Sequence, residues 1–372
     1  MKLRILIGLL ISGVFIYLAF NQVDMHEMAA ALKEANYLWL LPALLFMFVS
    51  HGLRAFRWGY FLGHIKKIRL PTLFSSLMIG YAANNVFPLR LGEFLRAFAI
   101  GKSTQIPKSS AFATIIVERL IDVLTLLLLL AGTILFYPLP NIIKKSGYII
   151  FAITVGLIIL LVFLMEKTEA TIKVFKLLLV TLPRKLDNNF NSGRSNPSHS
   201  KARSSFNHLL IHLPQRAFDF VQKVVRSFLN GFVIFKRSEH YFTVVLLSIL
   251  IWVLYAGMVY VAFYAFDFNT KYHLDFFASL VVLVTVSIGI MIPSSPGFVG
   301  TYHWFCMISL AFFKVPESEA LSFAIVSHAV NFIPATIVGL LFFWKENLHF
   351  HDAITEKSLV EHEFETSDGA QE

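Results

Sequence analysis

Residues 84–122 read NNVFPLRLGEFLRAFAIGKSTQIPKSSAFATIIVERLID, and how this stretch is explained decides the fold. Long apolar sequence flanks it on both sides, yet it holds Arg90, Glu93, Arg96, Glu118, Arg119 and Asp122. A charge at the centre of a membrane helix costs roughly 2.5–3.5 kcal/mol, so six facing lipid would cost on the order of 15–20 kcal/mol. A chain keeps such residues where they face protein, water or the interface, and they mark a functional site by default. The structural alternative is a set of interfacial anchors and ion pairs that hold helices in register.

Composition sets the class. The chain has 372 residues, 56% hydrophobic and 15% charged, with a mean hydropathy of +0.68. A soluble domain carries about 25% charged residues. Several apolar runs are long enough to cross about 30 Å of hydrocarbon, and the ten-residue alternation of a membrane barrel is not evident. The expectation is an all-α polytopic membrane protein with about seven to eight membrane helices, two Pro/Gly-broken or re-entrant segments and an internal repeat. The single cysteine, Cys306, excludes an internal disulfide and reads as a small packed residue. The net charge of +9 comes from bases flanking the spans, which points to topology and not to nucleic acid.

Lys2 and Arg4 precede an apolar run, Ile5–Phe20, with no small-x-small cleavage site after it, so an uncleaved first span with a cytoplasmic N-terminus is expected. Asn21–Tyr37 is an acidic connection. The second span is Leu38–Gly63, with His51, Arg54 and Arg57 in its second half. Arg54 and Arg57 share a helix face, and Trp58 and Tyr60 read as interfacial aromatics. Two readings of the arginines stand side by side: snorkelling to the interface, or a lipid-head site. Leu70–Phe87 ends in Asn84, Asn85 and Pro88 and has bases on both sides, which favours a re-entrant or broken helix over a crossing. A full span with a basic outer loop is the alternative.

Ala111–Phe136 is the next span. Glu118 and Asp122 lie i,i+4 on one face and need a cation there; Arg90 and Arg96 are the expected suppliers, while Arg119 points about 100° away. A span at Gly147–Met165 follows. Residues 166–240 carry 13 bases against 5 acids, a cytoplasmic loop with amphipathic segments at Thr171–Leu182 and Leu209–Phe235 around a polar linker. Tyr241–Phe266, Leu274–Ile292 and Ser318–Trp344 are further spans, and Trp304–Phe313 is too short to cross alone. The domain expected is thus 1–345, followed by an acidic tail, 346–372. His349 and His351 lack convergent ligands, so no metal is expected, and no residue pattern asks for a cofactor.

Two interrupted segments match. Pro88-Leu-Arg-Leu-Gly92 and Pro296-Gly-Phe-Val-Gly300 are both Pro-x-x-x-Gly after an apolar helix, one in each half. Paired breaks of this kind point to a transporter site at a repeat interface, because broken helices expose backbone N–H groups that attract anions.

NNVFPLRLGEFLRA, VERLIDV, IPSSPGFVGTYHW and Arg54-x-x-Arg57-Trp58 resemble the membrane domain of lysylphosphatidylglycerol synthases, a domain that also occurs alone in a flippase-like family. The resemblance covers about residues 1–345. It implies a protein of a bacterial or archaeal cytoplasmic membrane with a hydrophobic cavity, handling phospholipid or isoprenoid-lipid molecules. Arg90, Gly92, Glu93 and Arg96 match one family motif; Glu118, Arg119 and Asp122 match a second; Pro296, Gly297 and Gly300 match a third. Phe298 and His303 stand where the family often has glycine and an acid. Full-length synthases add a soluble aminoacyl-transferase domain, which is not expected in the residues after the last span.

The function expected is a lipid translocase, not an enzyme. An anionic head group would meet Arg90, Arg96, Arg54 or Arg57. Glu93, Glu118 and Asp122 would balance those cations, and Asn84, Pro296, Gly297, Gly300 and His328 would complete the pocket. The charges of the two breaks are expected to share a wet chamber. A membrane-embedded lipid enzyme using Glu93, His303 or His328, and an accessory subunit of a lipid-synthesis system, are the alternatives. Expected partners are a membrane lipid with an anionic head, the bilayer, and a second copy or a lipid-synthesis protein; nucleic acid is not expected.

Overall fold

The computed structural model describes residues 2–21, 23–87, 91–136, 241–292 and 295–348, with short stretches at 145, 148–149, 151–156 and 159. Two compact units divide the chain, Met1–Ala152 with Glu239–Glu372, and Ile153–Ser238. The helices that follow all belong to the first. They are α1 (Lys2–Phe20), α2 (Met25–Glu34), α3 (Leu40–Leu62), α4 (Leu70–Val86), α5 (Gly92–Thr104), α6 (Lys108–Phe136), α7 (Tyr241–Ala265), α8 (Phe268–Lys271), α9 (Phe276–Gly289), α10 (Thr301–Ala311) and α11 (Glu317–Lys345). A 3-10 turn at Tyr37–Trp39 leads into α3, and another at Pro296–Phe298 precedes α10.

The protein is an all-α polytopic membrane protein. Tyr37–Leu62, Phe242–Ala265 and Glu317–Lys345 are long and apolar enough to cross a bilayer, and Leu10–Phe20 and Phe276–Gly289 are shorter apolar helices. The pattern on α3 is that of a soluble helix turned inside out. Leu41, Leu45 and Val49 stand exposed at i,i+4 spacing, while Ser50, His51, Arg54 and Arg57 are buried. An apolar face is stable against lipid, and the charges are stable only inside.

Helix ends follow local chemistry. Asp24 caps α2 by accepting from the His26 and Glu27 amides, and Asp275 caps α9 by accepting from Ala278 N at 2.8 Å. The expected acidic connection is therefore largely a helix; its signal was the Asp24–Glu27 spacing. Pro71 opens α4, where its missing N–H costs nothing.

The interrupted segments are helical hairpins. Lys66, just before α4, donates from Nζ to Thr104 O at the end of α5, 2.8 Å away, so the chain returns to the end from which it left. This is the geometry of a re-entrant segment. Gly92 makes the turn-back possible: a Cβ there would collide with the Gly80 carbonyl oxygen and the Asn84 side chain. In the second half, Gly289 at the end of α9 lies against Phe305 of α10, and Cys306, Met307 and Leu310 share a core with Ala278, Val282 and Val286.

The halves also exchange partners symmetrically. Helix α3 packs on α7; α4 packs on α11 as α9 packs on α6; α5 packs on α6 as α10 packs on α11. The order long helix, hairpin, long helix thus occurs twice, α3 to α6 and α7 to α11 without the short α8, in line with the expected repeat. The expected span Gly147–Met165, the basic loop 166–240 with its amphipathic segments, and the tail beyond residue 348 lie wholly or largely outside the described residues.

Candidate functional site

The charges of α3, α5 and α6 meet in one buried cluster. Arg54 and Arg57, three residues apart on α3, face Glu118 and Asp122, four apart on α6. Arg54 Nε donates to Glu118 Oε1 at 2.7 Å, and its Nη2 pairs with Asp122 Oδ2. Arg57 Nη2 donates to Asp122 Oδ1 at 2.7 Å and lies 3.6 Å from Glu118 Oε1. Arg96 of α5 donates from Nη2 to Glu118 Oε2 at 2.7 Å. Helix α7 closes the site: Tyr255 OH accepts from Arg54 Nη1 at 3.0 Å and Ser248 Oγ accepts from Arg57 Nη1 at 2.7 Å.

Two expectations are corrected here. Snorkelling does not describe Arg54 and Arg57, which expose 6% and 0% of their surface. Nor is the cation for Glu118 and Asp122 supplied by Arg90 and Arg96 alone: Arg54 and Arg57 contact both acids, and Arg96 joins at Glu118 only. Arg90 and Pro88 lie outside the described residues. Trp58, expected at the interface, is fully buried; its Nε1 donates to Thr114 Oγ1 at 3.0 Å, and the Arg96 guanidinium carbon sits 3.8 Å over its ring.

Arg119 lies at the edge of this cluster with 38% of its side chain exposed: it reaches Glu93 Oε1 at 3.4 Å and, three residues along α6, Asp122 Oδ2 at 3.9 Å. Asn84 joins the two hairpin arms, its Oδ1 accepting from Gly92 N at 2.8 Å and its Nδ2 reaching Glu93 Oε1 at 3.5 Å. Asn85, its neighbour, donates to Thr336 Oγ1 at 2.7 Å and to Phe332 O at 3.3 Å on α11.

At the second break, Gly297 has φ +69 and its Cβ position is filled by the Phe332 ring; Gly300 has φ +91. Phe298, where the resemblance expects glycine, has φ +59. Such left-handed backbone costs a bulky residue roughly 1–2 kcal/mol and glycine little. His328 Nε2 lies 2.8 Å from Gly297 O. Pro296, Gly297, Gly300 and His328 therefore do come together, and Phe332 connects them to the first break through Asn85. Their described bonds run to α1 and α11, not to the arginines: Ser295 N donates to Ser12 Oγ at 2.8 Å. The buried charges of α3, α5 and α6 meet in an ion-pair cluster, and no described charge joins that cluster to the second break. Between α4, α5 and α11 an apolar recess lined by Ile79, Ala83, Val86, Leu95 and Leu340 has about 10 Å³ of free volume, room for one water at most.

The cluster's electrostatics are unbalanced. Three buried guanidiniums, Arg54, Arg57 and Arg96, face two buried carboxylates, Glu118 and Asp122, which leaves one positive charge in excess. Among the described residues Arg57 Nε, Arg96 Nε and Arg96 Nη1 are buried and find no acceptor, and His51 Nδ1 on α3 is buried without a hydrogen-bond partner. Buried donors normally find partners, so donors left over beside an excess positive charge suit an anion.

Sequence reasoning missed Ser248 and Tyr255. With Trp252 they form an i, i+4, i+7 line, a polar-tipped stripe on an otherwise apolar span. His51, its ring tilted against Tyr81 with centroids 4.6 Å apart, was visible in the sequence without a role.

Fold and site define a multi-pass membrane protein whose charges are sealed between helices and whose outer faces are apolar. The profile of the lysylphosphatidylglycerol synthase TM region matches residues 5–339, and the chain belongs to that family. A UPF0104 membrane protein of Methanothermobacter thermautotrophicus is 24% identical over 326 residues, 84% of this chain and 87% of its own. Another, of Methanocaldococcus jannaschii, is 22% identical over 351 residues, 92% of this chain and 95% of that one. Glycosyltransferase AglD of Haloferax volcanii is 30% identical over 128 residues, 34% of this chain and 20% of its own.

Proposed function

We propose that this protein moves or hands on a lipid with an anionic head group within the membrane, and that the head is received by the α3–α5–α6 cluster. One observation carries the reading: among the described residues the cluster holds one more buried cation than anion, with N–H donors on Arg57 and Arg96 that find no acceptor there. A phosphate oxygen would take those donors and cancel the excess charge. Glu118 and Asp122 hold the guanidiniums in place while the site is empty, which spares them an unpaired burial.

The paired hairpins support the same reading, since repeats that rock against each other around a central site are the common design of secondary transporters. The apolar recess beside Leu95 is small in this conformation; widening it between α4, α5 and α11 would give the lipid's chain a path next to its head. Among the described residues no nucleophile stands beside a base and an orienting group, so we read the protein as a carrier and not an enzyme. Its name makes AglD a glycosyltransferase, and lipid traffic serving such an enzyme is compatible with a carrier. The 13 bases of residues 166–240, and Lys2 and Arg4 before the first span, support a cytoplasmic side for that loop and for the N-terminus.

Reconstitution in vesicles with labelled phosphodiester-headed lipids tests it. Arg96→Gln is expected to slow transbilayer movement tenfold or more, about 1.4 kcal/mol or above. Movement at the wild-type rate would refute the assignment of the head-group site.

A further inference from the structure

The second broken segment carries a titratable pair that the arginine cluster does not use. His303 follows Gly300 by three residues on α10, and His328 lies on α11. Their ring centroids are 5.0 Å apart, edge to face. In the second half this pair holds the place of Arg96 and Glu118 in the first: one residue on the helix after the Pro-x-x-x-Gly break, one on the long helix that closes the half. Where the first half has an ion pair, the second has two imidazoles.

Hydrogen bonds set the tautomers. The Gly297 carbonyl can only accept, so His328 Nε2, 2.8 Å away, carries the proton and Nδ1 is bare. Gly300 N–H donates to His303 Nδ1 at 3.3 Å, so the neutral His303 ring carries its proton on Nε2. An added proton therefore acts differently at the two rings. On His328 it takes Nδ1 and leaves the bond to Gly297 intact. On His303 it takes Nδ1 itself, turns an acceptor into a donor, and breaks the bond that caps the start of α10. Gly300, at φ +91, is held there partly by that bond. Two imidazoliums this close repel, so the pair takes one added proton.

The other ionisable groups at the pair are Tyr302, stacked on His328 at 4.7 Å, and Cys306 behind Tyr302. From α1 Ser12 bonds to Ser295 of the break, and from α4 Asn85 bonds to Phe332 beside it, both uncharged. Among the described residues no Asp, Glu, Lys or Arg side chain bonds to either ring.

We infer that His303 and His328 form a one-proton site that ties proton binding to the shape of the second break and so supplies the coupling ion for lipid movement. The coupling rests on the translocase reading; the proton site does not.

Two variants keep the hydrogen bonds and remove the titration. His303→Asn places an amide oxygen where Nδ1 accepts, and His328→Gln places an amide N–H where Nε2 donates. The full chain in proteoliposomes is followed by amide hydrogen exchange over the segment containing Gly300, corrected for intrinsic exchange at each pH. Protection of the Gly300 amide in the wild type is expected to fall about fivefold, the factor for one lost hydrogen bond, as pH is lowered from about 8 to about 4. In His303→Asn it is expected to stay constant. Protection that ignores pH in the wild type, or falls equally in His303→Asn, overturns proton binding at His303 and with it the tie between the proton and the shape of the break. In the same vesicles, an imposed pH gradient is expected to change the rate of labelled-lipid movement, and the ratio of rates with and without gradient to return to one in both variants. A pH-dependent Gly300 amide with a gradient-independent rate overturns the coupling and leaves the lipid reading standing. No lipid movement under any condition defeats the lipid reading and the coupling together, while the exchange result still decides the proton site.

Discussion

The Arg96 guanidinium carbon sits over the Trp58 ring, 3.8 Å from its centroid, while Arg96 Nη2 donates to Glu118. The contact joins the arm of a hairpin to the helix that precedes it, and two of the three Arg96 nitrogens have no acceptor among the described residues. In the proposed reading, an arginine held by the ring and by Glu118 is pre-organised for an anion, because its position does not depend on the ligand. Trp58→Leu removes the platform and keeps the site apolar. It is expected to lower thermal stability in detergent by about 1–3 kcal/mol and to weaken binding of phosphodiester-headed lipid; an unchanged melting curve and affinity would show that the stack is incidental.

Glu118 is the hub, with contacts to Arg54, Arg57 and Arg96. Removing it strands three buried guanidiniums with one acid. Glu118→Ala is expected to cost about 3–5 kcal/mol in unfolding free energy, and Arg119→Ala, at a half-exposed pair, less than about 1 kcal/mol. Equal losses in the two would mean that the buried cluster adds no more than a surface ion pair.

Gly92→Ala addresses the hairpin. The added methyl meets the Gly80 carbonyl oxygen and the Asn84 side chain, so α5 must move off α4. Overpacking of this kind costs about 1–3 kcal/mol or more, and Asn84 would lose its bond to the Gly92 amide. Denaturant unfolding of the reconstituted variant measures it, and a stability equal to wild type would contradict the close crossing of the two arms.

The end of α11 gives a pH prediction. Glu346, just beyond the span, is half-buried between Ser75 and Lys102, and burial raises its carboxyl above the ordinary glutamate value of 4.5. A carboxyl raised in the folded state binds its proton more tightly folded than unfolded. Its contribution is therefore fully present below the unfolded value and is lost as pH rises through the folded one. Glu346→Gln should flatten that fall, seen as a smaller drop in melting temperature between acidic and neutral pH. A drop as large as wild type would place the titration elsewhere.

Much of this was legible in the sequence, for a physical reason. Charges are so costly in lipid that Glu118, Asp122 and Arg96 had to find partners, and the i,i+4 spacing put both acids on one face. The Pro-x-x-x-Gly pairs announced the hairpins because Gly92 leaves no room for a Cβ where α5 crosses α4, and Gly300 takes left-handed backbone. Which cation met which acid was not legible, since that depends on how α3 packs across α6. Trp58 looked interfacial for the same reason: an amphipathic ring near basic residues suits a membrane edge and a stacked arginine equally well. Ser248 and Tyr255 carry no charge, so nothing in α7 alone forced them inward.

The account stands on the excess cation of the α3–α5–α6 cluster holding a phosphate-bearing lipid. Lipid analysis by mass spectrometry of the purified full chain, wild type against Arg96→Gln, tests this most directly. Phosphate-headed lipid retained by the wild type and reduced about tenfold or more in the variant is the predicted result. Equal retention in both, or retention of uncharged lipids alone, would contradict it.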